Sequence, residues 1–158
     1  MRTVGAMAYT LALAVWVGGG VVYTFVLTPA IFATYPRNSA GEIVGTMMPH
    51  YFATLLAATA VAALLLPLLW RSWSPRVRAL VLALLVVALA AQSWVRWRLY
   101  PEILEVKSRV ASFESAPDAP ERQRFRLLHG LSMALNLAVL ADGVVLLALV
   151  SFARRRDD

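Results

Sequence analysis

Cysteine is absent from the 158 residues. Its absence excludes disulfides and thiolate metal sites, and with them zinc-finger and iron–sulfur chemistry. Charge is scarce as well: 15% of the residues are Asp, Glu, Lys or Arg, where a soluble domain carries about 25%. Histidine is nearly missing, with two. The scarcity of charge is also concentrated. Segments 3–36, 51–70 and 79–95 contain none, and 127–153 holds only Asp142 beside the titratable His129.

What is present is apolar, at 60% hydrophobic residues. A membrane span needs about 20 mainly apolar residues. All four uncharged runs reach that length, the third with its flanks. The sequence therefore predicts one all-α membrane domain over 1–158, an integral four-helix bundle in a lipid bilayer, with spans near 4–34, 50–70, 77–98 and 126–153. The first run has only Arg2 before it and no convincing small-x-small cleavage site, so it is read as a retained helix rather than a signal peptide. The net charge of +6 does not point to nucleic acid. Its arginines flank the apolar runs, where they act as topology signals and headgroup anchors.

Local signals mark the boundaries. Pro29 predicts a bend in a first helix that is longer than a bilayer core is thick. Gly18, Gly19 and Gly20, with Ala14 a turn earlier, predict a small-residue face for close helix approach. Ser39 and Glu42 form a capping-box pattern, so the second helix is expected to begin near 40, with a kink at Pro49. Ser74-Pro75 suits the start of the third helix, and Tyr100-Pro101 its end. Segment 103–114 has the pattern of a short amphipathic helix on the membrane surface, with Ile103, Leu104, Val106, Val110 and Phe113 on one side and Glu105, Lys107 and Arg109 toward water. Asp118 with Glu121 gives a second capping signal, placing the start of the fourth helix near 119.

The fourth helix carries the clearest site signal. His129, Ser132 and Asn136 stand at i, i+3 and i+7 and share one helical face, with Met133 at its flank. Unpaired polar groups cost several kcal/mol in hydrocarbon, so this stripe should face other helices or a cavity. In a four-span topology the first helix ends, the second begins, the third ends and the fourth begins on one side. Pro29, Tyr35, Arg37, Met47, Met48, His50, Gln92, Ser93, Arg96, His129, Ser132 and Asn136 all belong to that half, with Met133 beside His129. A site, if the chain has one, is expected to open toward the 37–49 and 100–125 loops. His129 is the candidate ligand or gate, with Ser132, Asn136, Arg96 and Gln92 as cofactor- or solute-binding candidates. His129, His50, Met48 and Met133 form a candidate soft metal set suited to copper(I). Asp142, mid-span, is either functional or protonated and hydrogen-bonded to a neighbouring helix. Cations number seven on the side of the termini and eight on the other. Their density near the short connections places both termini in the cytoplasm, across a bacterial inner membrane.

Three stretches resemble the transmembrane protein 205-like family of small four-helix membrane proteins, a family of largely unknown function. They are FVLTPAIF (25–32) followed by Tyr35-Pro36-Arg37; Gly41 through Pro49-His50-Tyr51-Phe52, with His50 where the pattern has an aromatic residue; and His129-Gly130-Leu131-Ser132 with Asn136-Leu137. Arg96 shortly before Pro101 is a looser match. The resemblance implies a four-helix bundle and a link to tolerance of toxic metal compounds in animal members. It implies a more distant similarity to bacterial copper-resistance D membrane proteins and to a haem-linked protoporphyrinogen oxidase group.

Three functions are open to such a chain. The first is a binding or transport module for a small solute or metal species. The second is a haem- or copper-binding redox protein, with His129 as axial ligand and His50 permitting bis-His ligation. The third is a structural or accessory subunit, in an oligomer or larger complex, whose stripe locks helices together. No catalytic constellation is present. Ser132 beside His129 lacks an acid and an oxyanion hole, and the triple glycine is embedded in a span rather than following a strand. Catalysis would need a bound cofactor.

Overall fold

In the computed structural model, which describes residues 2–69, 73–110 and 119–154, four long helices account for nearly all of the described residues. Helix α1 covers 2–34, α2 Arg37–Leu69, α3 Pro75–Ser108 and α4 Pro120–Arg154. Sequence neighbours pack together and α4 closes against both α3 and α1, giving an up-down-up-down bundle. The core runs along its axis. Tyr9, Leu13 and Trp16 of α1 are fully buried against Leu55, Ala62 and Leu66 of α2, Val81 and Leu85 of α3, and Leu146 of α4.

The outer surface is apolar. Leu64 is 78% exposed and Leu127 76%, and Val4, Met7, Leu11, Val86 and Val87 are exposed too. Water gives such a surface no reason to exist, whereas hydrocarbon does. All four helices are long and apolar enough to cross a bilayer, so the chain is a multi-pass membrane protein. Trp94, Trp97 and Tyr35 are exposed toward the same end of the bundle, where aromatic side chains fit a membrane–water interface.

Two helices change pitch before a proline. Val22–Leu27 of α1 and Val95–Leu99 of α3 are π-helical. Thr28 N–H bonds to Tyr23 C=O, and Tyr100 N–H to Val95 C=O. Pro29 and Pro101 come directly after. A proline has no N–H for the carbonyl four residues back and clashes with it. The wider turn accommodates that loss without breaking the helix. Pro29 therefore acts through a π turn. Tyr100-Pro101, expected to end the third helix, does not: the helix continues to Ser108.

The expected surface helix is accordingly the continuation of α3 as far as Ser108, with Ile103 and Val106 buried and packed toward α4. Arg109 and Val110 close the helix end with N–H bonds to Val106 C=O and Lys107 C=O; Phe113 and the rest of 111–114 lie outside the described residues. Glu105 and Arg109 are exposed and pair with each other, while Lys107 turns inward. Helix α2 begins at Arg37, earlier than expected. Ala40 N–H already bonds to Pro36 C=O, so Ser39 and Glu42 lie within the first turns and form no capping box. Ser74 does cap α3, its hydroxyl accepting from Val77 N–H at 3.4 Å. At the start of α4, Ala119 C=O accepts from Arg122 and Gln123 N–H; Asp118 lies outside the described residues. Of the three consecutive glycines, Gly20 alone has a tight neighbour: a Cβ there would stand 3.1 Å from Leu140 Cδ1, while Gly18 faces nothing within 4 Å.

Candidate functional site

Pro49 deprives the carbonyl of Gly45 of its helical donor. Gly41 and Gly45, one turn apart, leave the backbone of this part of α2 uncovered by side chains. Three neighbouring side chains use it. Tyr100 Oη donates to Gly45 C=O at 3.1 Å, Tyr23 Oη to Val44 C=O at 3.1 Å, and Lys107 Nζ to Gly41 C=O at 3.0 Å. Arg96 Nη1 donates to Pro49 C=O at 2.9 Å. The first half of α2 is thus held from α1 and α3 through its main chain.

Below this level lies a clasp between three helices. Tyr51 Oη of α2 donates to Asn136 Oδ1 of α4 at 2.6 Å, and Asn136 Nδ2 donates to Thr24 Oγ1 of α1 at 3.0 Å. Rings surround it. Tyr23 stacks on Tyr51 at 4.1 Å between centroids, Phe52 tilts against Tyr51 at 5.5 Å, and Tyr100 meets Phe52 edge-on at 5.4 Å. These are favourable aromatic geometries.

Above the clasp is a cavity of about 480 Å³ walled by all four helices. Its deep end is formed by Tyr23, Thr24, Tyr51, Phe52, Ser132 and Asn136. Its outer end carries Arg37, Lys107, Arg122 and Arg126. The volume lies in the range of small-molecule sites, about 300–1,000 Å³.

The structure divides the residues singled out from sequence. His129, Ser132, Met133 and Asn136 line the cavity together, as does Met48. Ser132 is buried, and His129 is half-buried with its ring stacked on Phe125 at 5.4 Å. His50 is exposed and is not among the lining residues. It stands two positions from Met48, roughly 200° around the helix, so the two point to different faces. Gln92 faces α2 instead: its Nε2 donates to Thr59 Oγ1 at 2.8 Å, beside a second cavity of only about 20 Å³. Arg96 is engaged by the Pro49 carbonyl. Among the described residues no three His, Asp or Glu side chains gather as a metal cluster would require.

Sequence reasoning placed Arg37 in this half of the bundle but gave no role to Tyr23, Tyr51, Tyr100, Phe125, Lys107, Arg122 or Arg126. The signal available for the tyrosines was their position, all in the same half of the bundle as His129. In the opposite half, Asp142 Oδ1, Tyr9 Oη and Trp16 Nε1 are buried without a hydrogen-bond partner among the described residues.

No curated protein and no solved structure matches the chain. One family model does, over residues 11–112, and its description is a domain of unknown function (DUF4149). The match includes α2 and the π turns of α1 and α3, hence three of the four cavity walls. With well over half of its length matched, the chain belongs to the DUF4149 family.

Proposed function

We propose that the protein is a membrane module that binds or transports a small solute in the cavity at the 37–49 and 100–125 end of the bundle. The observation that carries this reading is the cavity itself: about 480 Å³, walled by all four helices and reached by His129, Ser132, Met133 and Asn136. His129 is the residue we assign to the ligand, with Ser132 orienting it. Asn136 is committed to Tyr51 and Thr24 and shapes the floor. The chain is read as a single domain in a bacterial inner membrane with both termini cytoplasmic, supported by the arginines close to its short connections. The transmembrane protein 205-like resemblance is compatible with this reading.

The absence of cysteine makes the test clean. Met133→Cys and Leu64→Cys, each the sole thiol, are treated in native membranes with a small, water-soluble methanethiosulfonate. Met133→Cys should label, and Leu64→Cys, on the outer surface, should not. Adding Gly41→Leu, where a Cβ meets nothing within 4 Å, should fill the cavity and slow Met133→Cys labelling. Equal labelling with and without Gly41→Leu would overturn the reading.

A soft-metal reading is favoured by one observation: His129, Met48 and Met133 share the cavity, an imidazole with two thioethers. Elemental analysis and an absorption spectrum of detergent-purified protein check it. A copper or haem signal lost in His129→Ala would support it; metal-free, colourless wild type after copper(I) or haemin reconstitution would refute it.

A further inference from the structure

The lining of the cavity is electrostatically one-sided. Arg37 of α2, Lys107 of α3, and Arg122 and Arg126 of α4 stand at its outer end, and among the described residues no carboxylate lines it. Glu42 and Glu121 are exposed and do not line it. Glu102 pairs with Arg124 at 2.8 Å and Glu105 with Arg109 at 2.6 Å, and neither of those arginines lines the cavity. Four cations converging on one opening raise the local concentration of anions and oppose cations.

Inward of that ring the chemistry changes. The walls become Phe32, Val44, Phe52, Ile103, Leu104 and Phe125. Most polar groups of the floor are taken by one another or by the backbone: Tyr51 with Asn136, Asn136 with Thr24, and Tyr23 with the Val44 carbonyl. A wholly polar anion would have its head satisfied but would leave the aromatic walls in contact with water. A wholly apolar solute would make no use of the positive charge at the mouth. The opening also lies where charged residues end the apolar runs, at the level of lipid headgroups.

We propose that the cavity takes a single-chain anionic amphiphile, its carboxylate or phosphate head at Arg37, Lys107, Arg122 and Arg126 and its hydrocarbon chain directed at the aromatic walls. This rests on the reading of the cavity as a small-solute site and names the class of solute. Arginine and lysine give the head charge-assisted hydrogen bonds, and burial of the chain supplies the apolar share of the affinity.

The test uses the full-length protein in phosphatidylcholine nanodiscs and radiolabelled dodecanoate as the probe, with protein-free nanodiscs subtracted. Saturable binding of one dodecanoate per chain is expected. Dodecyl phosphate should displace it, while dodecyltrimethylammonium and inorganic phosphate should not. Arg37→Gln with Arg126→Gln, both at exposed positions, should weaken binding about tenfold or more. Unsaturable uptake, or uptake unchanged in the double variant, would overturn the proposal. If dodecanoate fails to bind while Met133→Cys still labels from water, the amphiphile is refuted and the solute cavity stands. If Met133→Cys does not label either, both fall. The source of the ligand is read by mass spectrometry of protein released from gentle detergent. A bound lysophospholipid identifies the membrane; protein that leaves the membrane empty and then binds added dodecanoate identifies an aqueous source. Either result supports the shared chemistry.

Discussion

Asn136 shows how much one polar side chain can do inside a bundle. It accepts from Tyr51 and donates to Thr24, so three helices share one amide. Interhelical hydrogen bonds in membranes contribute roughly 0.6–2 kcal/mol. Asn136→Leu should therefore destabilise the detergent-solubilised protein by about 1–2 kcal/mol, because both partners lose their bond; thermal unfolding beside wild type measures it. Gly143 is a second sensitive position, for steric reasons. A Cβ there would stand 2.8 Å from Val17 Cγ2 and 3.2 Å from Trp16 Cε2, and the Trp16 ring is fully buried. Gly143→Val should cost about 1–3 kcal/mol in the same assay, while Gly18→Ala, facing open space, should be neutral or slightly stabilising. The sequence pointed to the triple glycine and passed over Gly143. Composition marks small residues, but only the neighbouring helix decides which of them is pressed. His129, Ser132 and Asn136 were legible because helical spacing alone puts them on one face. Arg37 was placed in the same half, but the convergence of the mouth cations was not legible, because it depends on three different helices meeting.

At the scale of the helix, a proline and its compensation belong together. Pro49 leaves the Gly45 carbonyl without a helical donor, and Tyr100 supplies one from α3. In wild type, Tyr100→Phe should then cost about 1 kcal/mol, the loss of a hydrogen bond to a part-buried carbonyl. In a Pro49→Ala background residue 49 regains its N–H, so the same substitution should cost clearly less. Chemical or thermal unfolding of the four proteins completes a double-mutant cycle, and equal costs in both backgrounds would refute the pairing. The π turns also explain where the sequence reading stopped short. It ended the third helix at Tyr100-Pro101, whereas the wider turn of Val95–Leu99 carries the helix past Pro101 to Ser108. The extra residue rotates the rest of the helix by about 100°. Gln92, before the turn, meets Thr59, while Tyr100, Ile103 and Lys107, after it, face the cavity. Nothing in the amino-acid pattern distinguishes a proline that ends a helix from one that a π turn absorbs.

The large cavity lies at one end of the bundle, and the fully buried Tyr9, Leu66 and Val81 lie toward the other. Four uncharged runs were enough to read the bundle, since length and apolarity alone dictate spans. Which end faces which compartment depends on small differences in arginine placement, with seven cations against eight. The antiparallel order of the helices nevertheless makes a prediction that either orientation must obey. Ser39 near the start of α2 and Ser108 at the end of α3 lie at the cavity end, and Arg76 at the start of α3 lies at the other. With no native thiol to interfere, Ser39→Cys, Ser108→Cys and Arg76→Cys can each be treated with a membrane-impermeant maleimide in right-side-out and inverted vesicles. Ser39→Cys and Ser108→Cys should label from the same side, and Arg76→Cys only from the opposite one. If the termini are cytoplasmic, Arg76→Cys labels in inverted vesicles and the cavity opens to the outside, where its cationic mouth would meet anionic solutes before they cross. Labelling of all three from one side would be incompatible with four spans. Arg76→Cys labelling from outside would keep the bundle and turn the cavity toward the cytoplasm.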